Sequence, residues 1–221
     1  MLQKSTLSFI EKLKKNNNKP WFEDNRNLFN EAKEDFEKLV KDIITSFGKT
    51  DVDIAPLEVK NCIFRQYRDI RFSKDKTPYK AHFGASFDRE GKKSGFAGYY
   101  LHIEPGNKSM AGGGIWMPEA AQLKKIRQEI DYSWDEFQDI IHQKDFKKIY
   151  DDLEQGEFKL SREPKGYEKH NPAIEYLKLK SFVATQTLTD KDLVATDLLE
   201  KVLTAFTALM PLIKFINRSL E

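Results

Sequence analysis

Between residues 97 and 103 the apolar side chains of Ala97, Tyr99, Leu101 and Ile103 recur at every second position. That is the spacing of a strand with one buried face. Other short β-rich runs fall at 60–67, 81–88 and 110–116, and the turns DREGKKSG and EPGNKS separate the last three runs. Connections this short join antiparallel neighbours, because a parallel pair needs a long crossover. The block from about 52 to 116 therefore reads as an antiparallel meander of about four strands. Residues 181–188 (SFVATQTL) offer a fifth.

Helical periodicity brackets this block. A short helix is expected to about Lys14, with Ser5 or Thr6 as its cap, and a second helix begins near Pro20. Phe29, Ala32, Phe36, Leu39, Val40, Ile43, Ile44 and Phe47 form one apolar stripe that Gly48 closes. Beyond the meander, Pro118 suits the first turn of a helix to about Ile130, and Ser133 caps another that carries Trp134, Phe137, Ile140, Ile141 and Phe146. Residues 156–171 read as loop, and Asn171-Pro172 starts a short helix to Leu179. Thr189, with Asp192 three residues on, opens a final helix through Leu193, Leu198, Val202 and Phe206, which Pro211 should end or kink. The fold class is α+β: a central antiparallel meander of four to five strands flanked by N-terminal and C-terminal helices, most simply one domain over residues 1–221.

Sixteen Phe in 221 residues supply a packed interior and exclude a disordered chain. The single cysteine, Cys62, forms no internal disulfide and lies among apolar neighbours, so it reads as buried filler in a reducing, cytoplasmic setting. No signal-peptide pattern opens the sequence, and no apolar run reaches the length of a membrane span. A net charge of +2 is too small to mark the whole chain as a nucleic-acid binder.

The charge is unevenly placed. Between Arg65 and Lys80 stand Arg65, Arg68, Arg71, Lys74, Lys76 and Lys80 against only Asp69 and Asp75. The chain holds 37 Lys+Arg and 35 Asp+Glu, so the remainder keeps 31 basic and 33 acidic groups. A segment of net +4 thus sits in a body of net −2. Arginine forks and mobile lysine charges gathered this way suit a phosphate or carboxylate. Tyr67 and Tyr79 interleave with the cations, as rings do where a base stacks while cations hold its phosphates. The segment with Tyr67, Tyr79 and both aspartates is the candidate ligand site. If it is a strand, Arg65, Tyr67, Asp69 and Arg71 share one face and Arg68 points away. Phe72 reads as packing. Ser73 and Thr77 present hydroxyls to a phosphate or cap the local backbone.

The same stretch, FRQYRDIRFSKDKTPYK at 64–80, resembles the hallmark FRxYRDxRFSKDKTPYK of a widespread, mainly bacterial family of conserved proteins of unknown function. PWFEDNR at 20–26, GYYLHIEPG at 98–106, GGGIWMP at 112–118 and KGYEKH at 165–170 extend the resemblance over most of the chain. It implies one domain and carries over no activity, cofactor or catalytic residue.

Other patterns are thinner. Gly91-Lys92-Lys93-Ser94 fails as a phosphate loop, because Ser86 stands where the upstream glycine belongs and Lys93 at the Ser/Thr position. The glycines 112–114 mark a bulge, a tight crossing or a backbone open to a ligand. Glu58-Val59-Lys60, with Asp53 upstream, has the pattern of a nuclease strand, a short one with a high chance rate. His82 and His102 fall on neighbouring strands with Glu104 near, but they lack the spacing of a metal motif and no metal is assigned. No GxSxG elbow is present. Three functions follow: binding of a phosphate-bearing ligand (nucleotide, nucleic acid or phosphometabolite), catalysis on a phosphorylated or carboxylated substrate with an Asp or Tyr of the segment as acid or base, or a structural or protein-interaction role in which the motif is an internal ion network.

Overall fold

The computed structural model describes residues 1–156 and 159–221. Helix α1 (Lys4–Lys15) buries Thr6, Phe9, Ile10 and Leu13. Neither Ser5 nor Thr6 caps it, since Gln3 occupies that position. The Thr6 hydroxyl instead donates to Asp35 Oδ2 at 2.6 Å, tying α1 to a later helix. Helix α2 (Lys19–Asp24) starts at Asn18, whose side chain accepts from the Trp21 amide, with Pro20 in the first turn. Helix α3 (Arg26–Phe47) carries the expected stripe on its buried side. It ends at Gly48, where a Cβ would lie 2.7 Å from Ile44 O and 2.8 Å from Ala55 Cα.

Helix α4 (Val59–Cys62) precedes three strands, β1 (Phe83–Asp88), β2 (Gly98–Ile103) and β3 (Ser109–Ile115). Helices α5 (Ala120–Tyr132), α6 (Trp134–His142), α7 (Lys144–Tyr150) and α8 (Ile174–Leu177) follow, then β4 (Phe182–Leu188), α9 (Asp190–Val194) and α10 (Leu198–Leu220). The sheet order is β1-β2-β3-β4, each neighbour antiparallel. The α+β class and the antiparallel meander hold, with four strands among the described residues.

Alternation sorts the sheet into two faces. Phe83, Ala85 and Phe87 of β1 join Tyr99, Leu101 and Ile103 of β2 in the core, all at most 3 % exposed. Helix α10 packs on that side, and the rings of Phe47, Tyr99 and Phe206 meet at centroid distances of 4.8–5.6 Å. The opposite face, with Ser86, Tyr100, His102 and Met110, is only partly covered. At Gly114 (φ +122°) a Cβ would fall 1.9 Å from Phe182 O, so β3 and β4 close up only around a residue without a side chain.

Several expectations need correction. Residues 60–67 are not a strand. Glu58-Val59-Lys60 runs into α4, so the nuclease-like strand is absent. Beyond it, single bridges at Ile63↔Ala85 and Tyr67↔Tyr79 are all the pairing the backbone makes. The face alternation expected for Arg65, Tyr67, Asp69 and Arg71 goes with that strand. The long helix expected after Ser133 breaks at Gln143, and the Ser133 hydroxyl turns back to Glu129 instead of capping α6. Thr189 and Asp192 do form a capping box, but α9 stops at Val194 and α10 begins afresh at Leu198. Pro211 lies inside α10 without ending it. Val202, Phe206, Leu209, Ile213 and Ile216 bury that helix deeply enough to outweigh one missing backbone bond. The loop expected over 156–171 includes residues 157 and 158, which lie outside the described residues. No helix among the described residues is long and apolar enough to cross a membrane.

Candidate anion-binding site

Residues 64–80 form a small irregular hairpin at the edge of the sheet. The Phe64 amide donates to Gly84 O at 3.0 Å, extending the sheet by one bond beyond β1. The chain then folds back on itself: Arg68 N donates to Pro78 O at 2.9 Å and Lys80 N to Gln66 O at 2.8 Å. Two anchors fix this hairpin to the N-terminal helices. The Tyr79 ring stacks on Phe22 at 3.9 Å and is 2 % exposed. The Asn17 side chain accepts from Tyr79 N at 3.0 Å and donates to Tyr79 O at 2.8 Å.

The tip is a self-contained ion network. Arg68 Nη1 donates to Asp75 Oδ2 and Thr77 Oγ1 and reaches Thr77 O at 3.3 Å, while Nη2 lies 3.4 Å from Ser73 Oγ. Asp75 also accepts the Thr77 amide at 2.9 Å. That amide, followed by the Arg68 guanidinium, pulls its carboxyl down to about 2. Arg71 holds Asp69 through Nε at 2.9 Å and Nη2 at 2.7 Å, and its guanidinium keeps that carboxyl below the usual range. Lys76 Nζ donates to Ile70 O at 2.9 Å. Phe72, expected to pack, is 94 % exposed at the loop apex, with the Arg71 guanidinium 5.8 Å from its ring centroid. Without a strand beneath it, nothing turns that ring inward.

The base of the hairpin behaves differently. Among the described residues the Arg65 side chain has no hydrogen bond or ion pair, and Lys80 Nζ meets only the Phe64 ring, 5.1 Å from its centroid. At the tip itself Lys74 is exposed and has no ion pair among the described residues. Burial depresses the Lys80 ammonium, and the neighbouring Arg65 charge lowers it further. Both side chains line a groove of about 640 Å³ between the hairpin, α3 and the β1–β2 turn. The other cations on its wall are Lys33, Lys60, Lys92 and Lys93. Lys33 pairs with Glu37 at 3.1 Å and Lys60 with Glu58 at 2.6 Å. Lys93 adopts φ 93°, a conformation side-chain-bearing residues rarely hold.

These four lysines were missed by the sequence reading. Lys60 entered only within the nuclease-like pattern and Lys92-Lys93 only in the turn rejected as a phosphate loop, and that turn does line the groove. Tyr67 is half-exposed, and its ring centroid lies 5.1 Å from that of Tyr79. Tyr79 is a packing ring with no free face. A second groove of about 750 Å³ runs along the partly covered sheet face and shares Phe64 and Lys93 with the first. Tyr100, Met110 and Trp116 line it, together with Asp88. Burial raises the Asp88 carboxyl, which accepts the Ser86 hydroxyl at 2.6 Å. Cys62 is fully buried and its thiol is pushed up to about 12, which leaves it inert filler.

No curated protein and no solved structure matches the chain. A family model described as a conserved hypothetical protein (DUF2461) matches residues 5–215, from α1 through the sheet into α10. The chain therefore belongs to that family of unknown function.

Proposed function

We propose that the protein binds a small phosphate-bearing ligand, its phosphates against Arg65 and Lys80 and its planar or apolar part against Phe64, Tyr100 and Trp116. The observation that carries this reading is the pair Arg65 and Lys80: two cations close enough to repel, neither of them in an ion pair among the described residues. Such a pair costs free energy until an anion enters. The two adjoining grooves have the size of small-molecule sites. That favours a nucleotide over a nucleic acid, whose backbone needs an extended basic stripe. Here the hairpin tip offers only Lys74 and Lys76, because Arg68 and Arg71 already have carboxylates. Asp69 and Asp75 are held by arginines, so neither is offered as a catalytic base. A cytoplasmic setting belongs to this reading and is supported by the lone, buried cysteine.

Calorimetric titration with ATP, with inorganic phosphate and with a single-stranded oligonucleotide, each at low and high salt, tests the proposal. ATP should bind at low salt and weaken as salt rises. Absence of ATP and phosphate binding at low salt would end the reading, and oligonucleotide binding much tighter than ATP would replace the nucleotide with a nucleic acid.

A further inference from the structure

A second constellation lies on the partly covered sheet face and uses none of the cations invoked above. The register pairs Phe83 with Ile103 and Gly84 with His102, so His82 and Glu104 extend the same ladder opposite one another. Positions 82, 102 and 104 then project to the same side of the sheet as Tyr100. The two imidazole centroids are 4.4 Å apart. One ligating atom from each of His82, His102 and Glu104 falls within 4.8 Å of the other two.

We propose that His82, His102 and Glu104 form a binding site for a divalent transition metal, with Zn²⁺ the best-matched ion. Two imidazoles and one carboxylate are a zinc donor set that leaves a fourth position open. Ligands about 2.1 Å from zinc stand roughly 3.4 Å apart in a tetrahedron, so the longest separation in the trio has to contract by at most about 1.4 Å, within the reach of side-chain torsions. His102 Nε2 and Glu104 Oε2 are already at 3.3 Å. The His102 Nδ1 is 3.2 Å from the Tyr100 hydroxyl, an outer contact of the kind that orients a ligating imidazole. Among the described residues neither ring nitrogen of His82 has a hydrogen-bond partner. Glu104 gives Oε1 to Lys14 at 2.8 Å, which leaves Oε2 for the metal.

The test uses metal-stripped full-length protein in phosphate-free buffer, titrated with Zn²⁺, Co²⁺ and Mg²⁺. Zn²⁺ should bind with one equivalent, Co²⁺ should give the intense visible bands of tetrahedral coordination, and Mg²⁺ should not compete. His82→Ala and His102→Ala should each weaken Zn²⁺ binding by more than about a hundredfold, and Tyr100→Phe by about tenfold. His142→Ala and His170→Ala should leave it unchanged. Should the ligand variants misfold, ¹⁵N shifts of the His82 and His102 rings in the wild-type protein report coordination directly. Absence of Zn²⁺ binding, an affinity indifferent to both ligand substitutions, or ring nitrogens unmoved by Zn²⁺ would each overturn the proposal. Every one of these readouts is separate from ATP binding.

Discussion

At the tip of the basic hairpin, Arg68 and Arg71 lie against Asp75 and Asp69, and their charges are answered within a few residues. At its base, Arg65 and Lys80 line a groove and form no ion pair among the described residues, though they belong to the same segment and the same residue types. The contrast separates two uses of a cation. A short loop that pairs its own charges gains a fixed shape, whereas an unpaired pair on a concave wall retains its attraction for something outside the chain. Counting charges along the segment could not make that separation, because both halves contribute to the same net surplus.

The most damaging way to break the comparison is to remove its common anchor. Phe22→Ala deletes the ring on which Tyr79 stacks and should lower unfolding free energy by about 3–5 kcal/mol in denaturant melts. It should also abolish ATP binding, since the groove wall loses its support. Next comes the base itself. Arg65→Ala combined with Lys80→Ala should weaken ATP binding about a hundredfold, or roughly 2.7 kcal/mol, with stability unchanged or slightly raised by relief of their repulsion. If calorimetry shows the double variant binding like wild type, the base of the hairpin is not the anion site.

Arg68→Ala sharpens the contrast from the other side. It should cost about 1 kcal/mol, a fall in melting temperature of about 2–4 °C by circular dichroism, while ATP affinity changes little. Loss of binding with stability intact would place the functional cation at the tip instead. A smaller effect is expected from acid. The Asp75 carboxyl sits at about 2 in the fold against an ordinary 3.8, so its contribution is complete above 3.8 and is lost as pH falls towards 2. Protection of the Thr77 amide, its exchange rate by NMR taken relative to the unprotected rate at each pH, should fall over that window, and Asp75→Asn should remove that fall. Least of all, Arg71→Ala should leave both the melting temperature and ATP binding within error, because its ion pair is exposed.

What could be read from the residues follows the range of the forces involved. Alternation at Tyr99, Leu101 and Ile103 reports a local pleat, and the stripe from Phe29 to Phe47 reports a local helix, so both elements appear where expected. Residues 60–67 have the composition of a strand, but only one bond at Phe64 finds β1 before the chain folds back towards Pro78 and Lys80. That fold-back depends on Phe22 and Asn17, far upstream, and so escapes any window on the segment itself. The same holds for the groove. Lys33, Lys60, Lys92 and Lys93 come from α3, α4 and the β1–β2 turn, and only the tertiary fold brings them to one wall. The segment showed a surplus of cations without saying which of them face a cavity. Cys62 was readable because burial among apolar neighbours is a property of its immediate surroundings.

The grip of Asn17 on Tyr79 makes the groove answerable to a residue 62 positions away that carries no charge and touches no ligand. A carboxamide presents a donor and an acceptor side by side, which an aspartate or a leucine of the same length does not. Drift at position 17 would therefore slacken the spacing between the two repelling cations before it disturbed anything else, and selectivity among anions of different size would be the first property to blur.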